Sequence, residues 1–177
     1  MNAYTDDEEI AEGASTGGGM IALYPAPEVA KRLSDHAGVE EPPDHVHVTL
    51  KFLGEDHTEL GDLKGKVADS LRAFAASEKP LSGHTGRVGT FRPTDEGETP
   101  VYAGVDVDGL QEFRARLVKA LPDGVMADTH GSYKPHITLK YADSKDHGIE
   151  DPEPLPLRFD KVHLVLGGKH QTFPLEG

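Results

Sequence analysis

The chain has 177 residues, 36% of them apolar and 28% charged, with no cysteine and a formal net charge of −13. That profile fits one globular domain with a sizeable core and excludes disulfides, thiolate metal sites and cysteine nucleophiles. No stretch approaches the roughly 18 apolar residues of a membrane span. The acidic N-terminus lacks the basic-then-apolar layout of a secretory signal, so a cytoplasmic location is expected. A surface this acidic repels long nucleic acid but leaves room for a small anion in a locally basic pocket.

Residues 1–19 combine four consecutive acids with small residues and a glycine triplet, which reads as a flexible tail before a domain spanning 20–177. Met20 to Tyr24 reads as a short apolar strand ended by Pro25. Pro27 suits a first helical turn, and Val29, Ala30, Leu33 and Ala37 follow at helical spacing until Gly38. A strand is expected from about His45 to Leu53. A longer amphipathic helix follows, carrying Leu60, Leu63, Val67, Leu71 and Phe74 and closed by Pro80. Gly83 to Arg92 reads as a strand and the acidic Pro93 to Pro100 as a loop.

A similar order then begins again. Val101 to Val107 reads as a strand, and Asp108 with Gln111 resembles a capping box opening a helix with Leu110, Phe113, Leu117 and Leu121 on its apolar face. Pro135 to Tyr141 reads as a strand. Leu157 to Leu166 and Thr172 to Leu175 read as closing strands around a Gly167-Gly168 turn.

Two of these strands carry nearly the same text, His47-Val48-Thr49-Leu50-Lys51 and His136-Ile137-Thr138-Leu139-Lys140. Side chains alternate along a strand, so His47, Thr49 and Lys51 share one face, as do His136, Thr138 and Lys140. A core strand has no need of this polar stripe, still less twice. The order strand, helix, His-x-Thr strand recurs, which reads as an internal duplication placing equivalent strands across one cleft. Two imidazoles with pKa values near neutrality can divide the work of base and acid. The threonine hydroxyls can donate to phosphate oxygens, and the lysines favour an anionic transition state. This combination suits in-line cleavage of a phosphodiester.

The segments HVTLKFLGE, from His47, and HITLKY, from His136, resemble the two signature motifs of the 2H phosphoesterase superfamily, and more narrowly its group of 2′-5′ RNA ligase-like proteins and RNA 2′,3′-cyclic phosphodiesterases. The resemblance extends over most of residues 20–175. It implies an α+β, bilobal fold in which two antiparallel sheets line a central groove and helices pack on the outer faces. It further implies metal-independent hydrolysis of 2′,3′-cyclic or 2′-5′ phosphodiesters, with no cofactor, on nucleotides, short or cyclic oligonucleotides or RNA ends. Carried over by position, His47 and His136 become the acid–base pair, with either as base, and Thr49 and Thr138 the phosphate-oxygen donors. A non-catalytic module holding a phosphorylated ligand in the same cleft, and 2′-5′ ligation as the reverse transfer, are the alternative readings. A monomer is expected.

Lys51 and Lys140 are candidate substrate contacts from strand geometry alone. Tyr133 and Lys134 precede the second motif and are expected to border the groove, where an aromatic ring can stack on a base. Phe52 is assigned to the core by alternation, and Tyr141 to either face. His84, Arg87 and Arg92 are weaker candidates for positive charge at the groove. His45, beside Asp44, invites a metal or histidine-triad reading with His136. It lacks the further ligand pattern and is placed at the edge. His130, His147, His163 and His170 have no matching context and read as surface residues.

Overall fold

A computed structural model describes residues 17–127 and 132–177. The strands are β1 (Gly19–Leu23), β2 (Val48–Gly54), β3 (Leu81–Thr90), β4 (Thr99–Val107), β5 (His136–Ala142), β6 (Pro156–Phe159), β7 (Lys161–Leu166) and β8 (Lys169–Pro174). The helices are α1 (Pro27–Asp35), α2 (Leu63–Ser77) and α3 (Leu110–Ala120). No described helix is long and apolar enough to cross a membrane. Residues 1–16, most of the expected tail, lie outside the described residues, as does His130. Gly17 and Gly18 already belong to the fold, because their carbonyls accept from the amides of His57 and Gly167.

The fold is the expected α+β duplication. Eight strands form one antiparallel sheet in the order β6-β3-β4-β5-β2-β1-β7-β8. Its two halves of four strands meet at β2 and β5, which are joined by the single pair Val48↔Ile137. The repeated unit is β1-α1-β2 in one half and β4-α3-β5 in the other. One face of the sheet carries Ile21, Leu23, Leu50, Val101, Ile137 and Leu139 into the core against the apolar faces of the helices. Phe74 of α2 and Phe113 of α3 meet there edge to face at 5.2 Å. The other face is the groove.

The closing strand expected over Leu157 to Leu166 is two strands. Phe159 ends β6 on β3, in the second half, and Lys161 begins β7, which pairs with β1 in the first half. Only Asp160 lies between them. Two Cα steps reach only about 7 Å, so the sheet has to curl until its far edges approach, giving a half-barrel. The capping box is also absent: Gly109, with φ 80°, takes the N-cap position of α3 without a side-chain bond, and Gln111 donates instead to the Tyr133 carbonyl at 2.7 Å. Towards the first motif, the tandem prolines Pro42 and Pro43 start a 3₁₀ turn ending at His45, so β2 begins at Val48 and not near His45.

Candidate active site

The pair Val48↔Ile137 fixes the centre of the groove. In the antiparallel register around it, His47 lies beside Thr138 and Thr49 beside His136. The two motifs therefore face each other on neighbouring strands, and His47, His136 and Thr138 are buried while Thr49 is half-buried.

Both histidines are held alike. His47 Nδ1 lies 2.7 Å from the His45 carbonyl, and His136 Nδ1 lies 2.8 Å from the Lys134 carbonyl. A carbonyl only accepts, so each Nδ1 carries a proton and Nε2 is the basic nitrogen of each neutral ring. His47 Nε2 is 3.2 Å from Thr49 Oγ1, whose hydroxyl donates to it, and the same oxygen is 3.8 Å from Met20 Sδ. Burial pushes the pKa of each ring down to about 4, against the opposing pull of its carbonyl bond. Charge on His45 and His170 further disfavours protonation of His47. Charge on His47 and Lys134 does the same to His136.

The lysines leave this face. Ala22 pairs with Thr49 but Ile21 pairs with Lys51, and Tyr102 pairs with Thr138 but Val101 with Lys140. Each motif thus has a β-bulge at its leucine, Leu50 or Leu139, and the extra residue cancels the alternation for everything after it. Opposed residues share a face, so Lys51 and Lys140 lie on the core side with Ile21 and Val101. Lys51 is only 4% exposed, and Lys140 reaches Glu40 at 3.4 Å. The same slip moves Phe52 out of the main core. It pairs with Met20 and packs with Met20, Ala22, Val165 and Tyr24 on the groove side.

Each bulge is braced from the opposite half of the molecule. Arg114 of α3 donates from Nε to the Leu50 carbonyl at 2.9 Å, and the amides of Glu40 and Glu41, after α1, donate to the Leu139 carbonyl. Tyr133 joins this bracing. Its hydroxyl donates to the Thr49 carbonyl at 2.7 Å, and the Arg114 guanidinium lies 4.7 Å from its ring centroid. Lys134 remains at the groove. Its Nζ donates to the Tyr102 hydroxyl at 2.6 Å over the rings of Tyr102 and Phe91.

Rings wall the groove on both sides. Phe91 and Tyr102 approach His136 at 4.8 and 5.7 Å, and a Cβ at Gly89 would sit 2.6 Å from the Tyr102 hydroxyl, so glycine there makes room for the ring. Opposite, Tyr24 stands 5.4 Å from His47, 4.5 Å from His163 and 4.9 Å from His170. His163 and His170, expected at the surface, share a 3.0 Å contact between their Nδ1 atoms, and His163 is only 9% exposed. Their signal is the alternation of Lys161, His163 and Val165, but it gains meaning only once β7 is known to pair with β1. Tyr24, Phe91 and Tyr102 carried no motif at all.

His84 points to Asp106, 3.5 Å away, and both are exposed. The nearest side-chain partner of His45 is Glu41 at 3.5 Å. Among the described residues, no group of three or more His, Asp or Glu is arranged to hold a metal ion.

Residues 25–171 match the family model of the 2′-5′ RNA ligase superfamily. No curated protein matches the chain significantly. Among solved structures, TT0787 of Thermus thermophilus is similar at 22% identity and TM-score 0.65, over 90% of this chain and 98% of that one. Escherichia coli LigT in its apo form is similar at 20% identity and TM-score 0.61, over 91% and 95%, and LigT has also been crystallised with 3′-AMP and with NADP+. Usb1 of Kluyveromyces marxianus follows at 15% identity and TM-score 0.56, over 91% and 99%.

Proposed function

Because the chain belongs to the 2′-5′ RNA ligase superfamily, we propose that it is a metal-independent phosphodiesterase, hydrolysing 2′,3′-cyclic or 2′-5′ phosphodiester bonds in nucleotides, short or cyclic oligonucleotides or RNA ends. The observation that carries this reading is the matched pair of buried imidazoles, each tied through Nδ1 to the carbonyl two residues before it. The complexes of LigT with 3′-AMP and NADP+ support a nucleotide as the ligand class. The net charge of −13 favours such small ligands over long nucleic acid.

The chemistry needs one neutral ring and one protonated ring. The neutral Nε2 takes the proton of the attacking water or ribose hydroxyl while the new P–O bond forms. The other ring gives its Nε2 proton to the ester oxygen as the old P–O bond breaks. The rings end with their protonation states exchanged, and proton exchange with solvent resets them. A phosphodiester anion in the groove is what makes the protonated state accessible, because it offsets the burial that otherwise keeps both rings neutral. Thr49 and Thr138, beside the opposing histidines, donate to the non-bridging oxygens.

The test is a screen of the purified protein, with chelator present, against nucleoside 2′,3′-cyclic phosphates, 2′-5′ dinucleotides and cyclic oligonucleotides. At least one class should be cleaved, and His47→Ala and His136→Ala should each lose about 10²-fold or more. Activity that vanishes with chelator and returns with zinc would overturn the reading.

A further inference from the structure

The groove continues past Tyr24. A small pocket of about 120 Å³ at His47 is bounded by Met20, Tyr24, Asp44, His45 and His170. A second cavity of about 790 Å³ shares Tyr24, Asp44 and His170 with it, and runs on to the start of α1 and the Asp160 crossover. Its volume falls in the range of about 300–1,000 Å³ usual for small-molecule sites.

The chemistry of its walls selects the occupant. Pro25, Ala26, Pro27, Pro43 and Val46 supply apolar surface. The charged groups are balanced, with Arg158 and Lys161 set against Asp44 and Asp160. His163 and His170 can add at most one positive charge, and burial disfavours even that. Their Nδ1 atoms are 3.0 Å apart, so one donates and the other accepts, and both cannot be protonated in that contact. A largely apolar, electrically balanced cavity is a poor phosphate site. It suits a flat ring with polar edges and a sugar whose hydroxyls can donate to carboxylates, and Tyr24 with the two imidazoles offers ring faces at the entrance.

We propose that this cavity is a nucleoside subsite, holding the nucleoside on the His47 side of the scissile phosphate, so that the preferred substrate is a diester with a nucleoside on each side. The inference rests on the phosphodiesterase reading above. It makes Tyr24, His163 and His170 determinants of substrate size, and it places the ester oxygen of that nucleoside nearest His47.

The experiment compares kcat/KM for a 2′-5′-linked dinucleoside monophosphate and a nucleoside 2′,3′-cyclic phosphate in the full chain. Lys161→Trp and Pro27→Trp each fill the cavity from an exposed position, one on β7 and the other at the start of α1. Wild type should prefer the dinucleoside. Each variant should lower its kcat/KM by about tenfold while changing the cyclic phosphate by less than about twofold, which also certifies the fold. Equal losses on both substrates from both variants, or no loss on either, overturn the subsite. Wild type that cleaves only the cyclic phosphate also overturns it and leaves the phosphodiesterase reading standing. Wild type that cleaves neither overturns the subsite, and the phosphodiesterase reading falls with it when cyclic oligonucleotides are also left intact.

Discussion

A neutral imidazole whose one proton is tied up at Nδ1 can accept a proton at Nε2 but has none to give there, so the acid of this site has to arise when substrate binds. Burial sets the pKa of His47 and of His136 at about 4, and charge on His47 lowers that of His136 further. The form of the free protein with one proton on the pair is therefore a minority species at neutral pH. The quantity kcat/KM reports the free protein, and kcat the complex. We expect kcat/KM to fall by about tenfold per pH unit between pH 5 and 7, as the singly protonated form is titrated away. The phosphate anion raises the pKa of the pair in the complex, so the alkaline limb of kcat should lie at higher pH. Both limbs are macroscopic properties of the pair. Parallel pH profiles of the two constants decide it: a kcat/KM that is level from pH 5 to 7 would show that neither ring is held neutral in the free protein.

At the scale of elements, the bulges at Leu50 and Leu139 reorganise what the motifs present. The sequence makes the histidines and threonines legible, because they precede the bulge and obey strict alternation. It misplaces Lys51, Lys140 and Phe52, because nothing in Thr-Leu-Lys announces an extra residue. The bulge exists only in the pairing of β2 with β1 and of β5 with β4. The duplicated strand-helix-strand order was readable for the same reason, since it is written in local periodicity. The division of Leu157 to Leu166 at Asp160, and the placing of His163 and His170 on the groove wall, depend on which strand pairs with which, a property of the whole sheet. Tyr133 was expected at the groove, but its ring packs against the main core, and the contact its hydroxyl makes could not be read from the sequence. Its hydroxyl holds the Thr49 carbonyl from the other half of the molecule. Tyr133→Phe keeps the ring and removes only that bond. A strut predicts a several-fold fall in kcat with KM little changed, and about 1 kcal/mol lost from stability. A base-stacking platform predicts that Tyr133→Phe behaves as wild type, and steady-state kinetics with denaturant unfolding separate the two.

Over the whole molecule, the halves cannot be taken apart. Arg114, Tyr133 and the Glu40–Glu41 amides each cross from one half to brace the other, and Asp160 carries the chain across in a single residue. Each half also buries one histidine of the pair in the same joint, so acid should act on both at once. In the unfolded chain each ring titrates with its ordinary pKa of about 6.5. In the folded chain each titrates at about 4. Between those values the unfolded state binds more protons, so stability is complete above the unfolded pKa and declines as pH falls towards the folded one. From pH 6.5 to 5 the loss is on the order of 2 kcal/mol for each ring. His163, lowered by burial and by His170, adds to the loss in the same direction. Most carboxylates stay ionised down to about pH 5, so the imidazoles dominate this window. The urea midpoint should therefore drop between pH 7 and pH 5 in one cooperative transition. His47→Gln, which keeps a hydrogen-bonding side chain but cannot titrate, should reduce that dependence by the share of one ring. A midpoint equal at pH 7 and pH 5 would mean that the two imidazoles are solvated in the folded protein, and the buried acid–base pair at the joint of the halves would have to be given up.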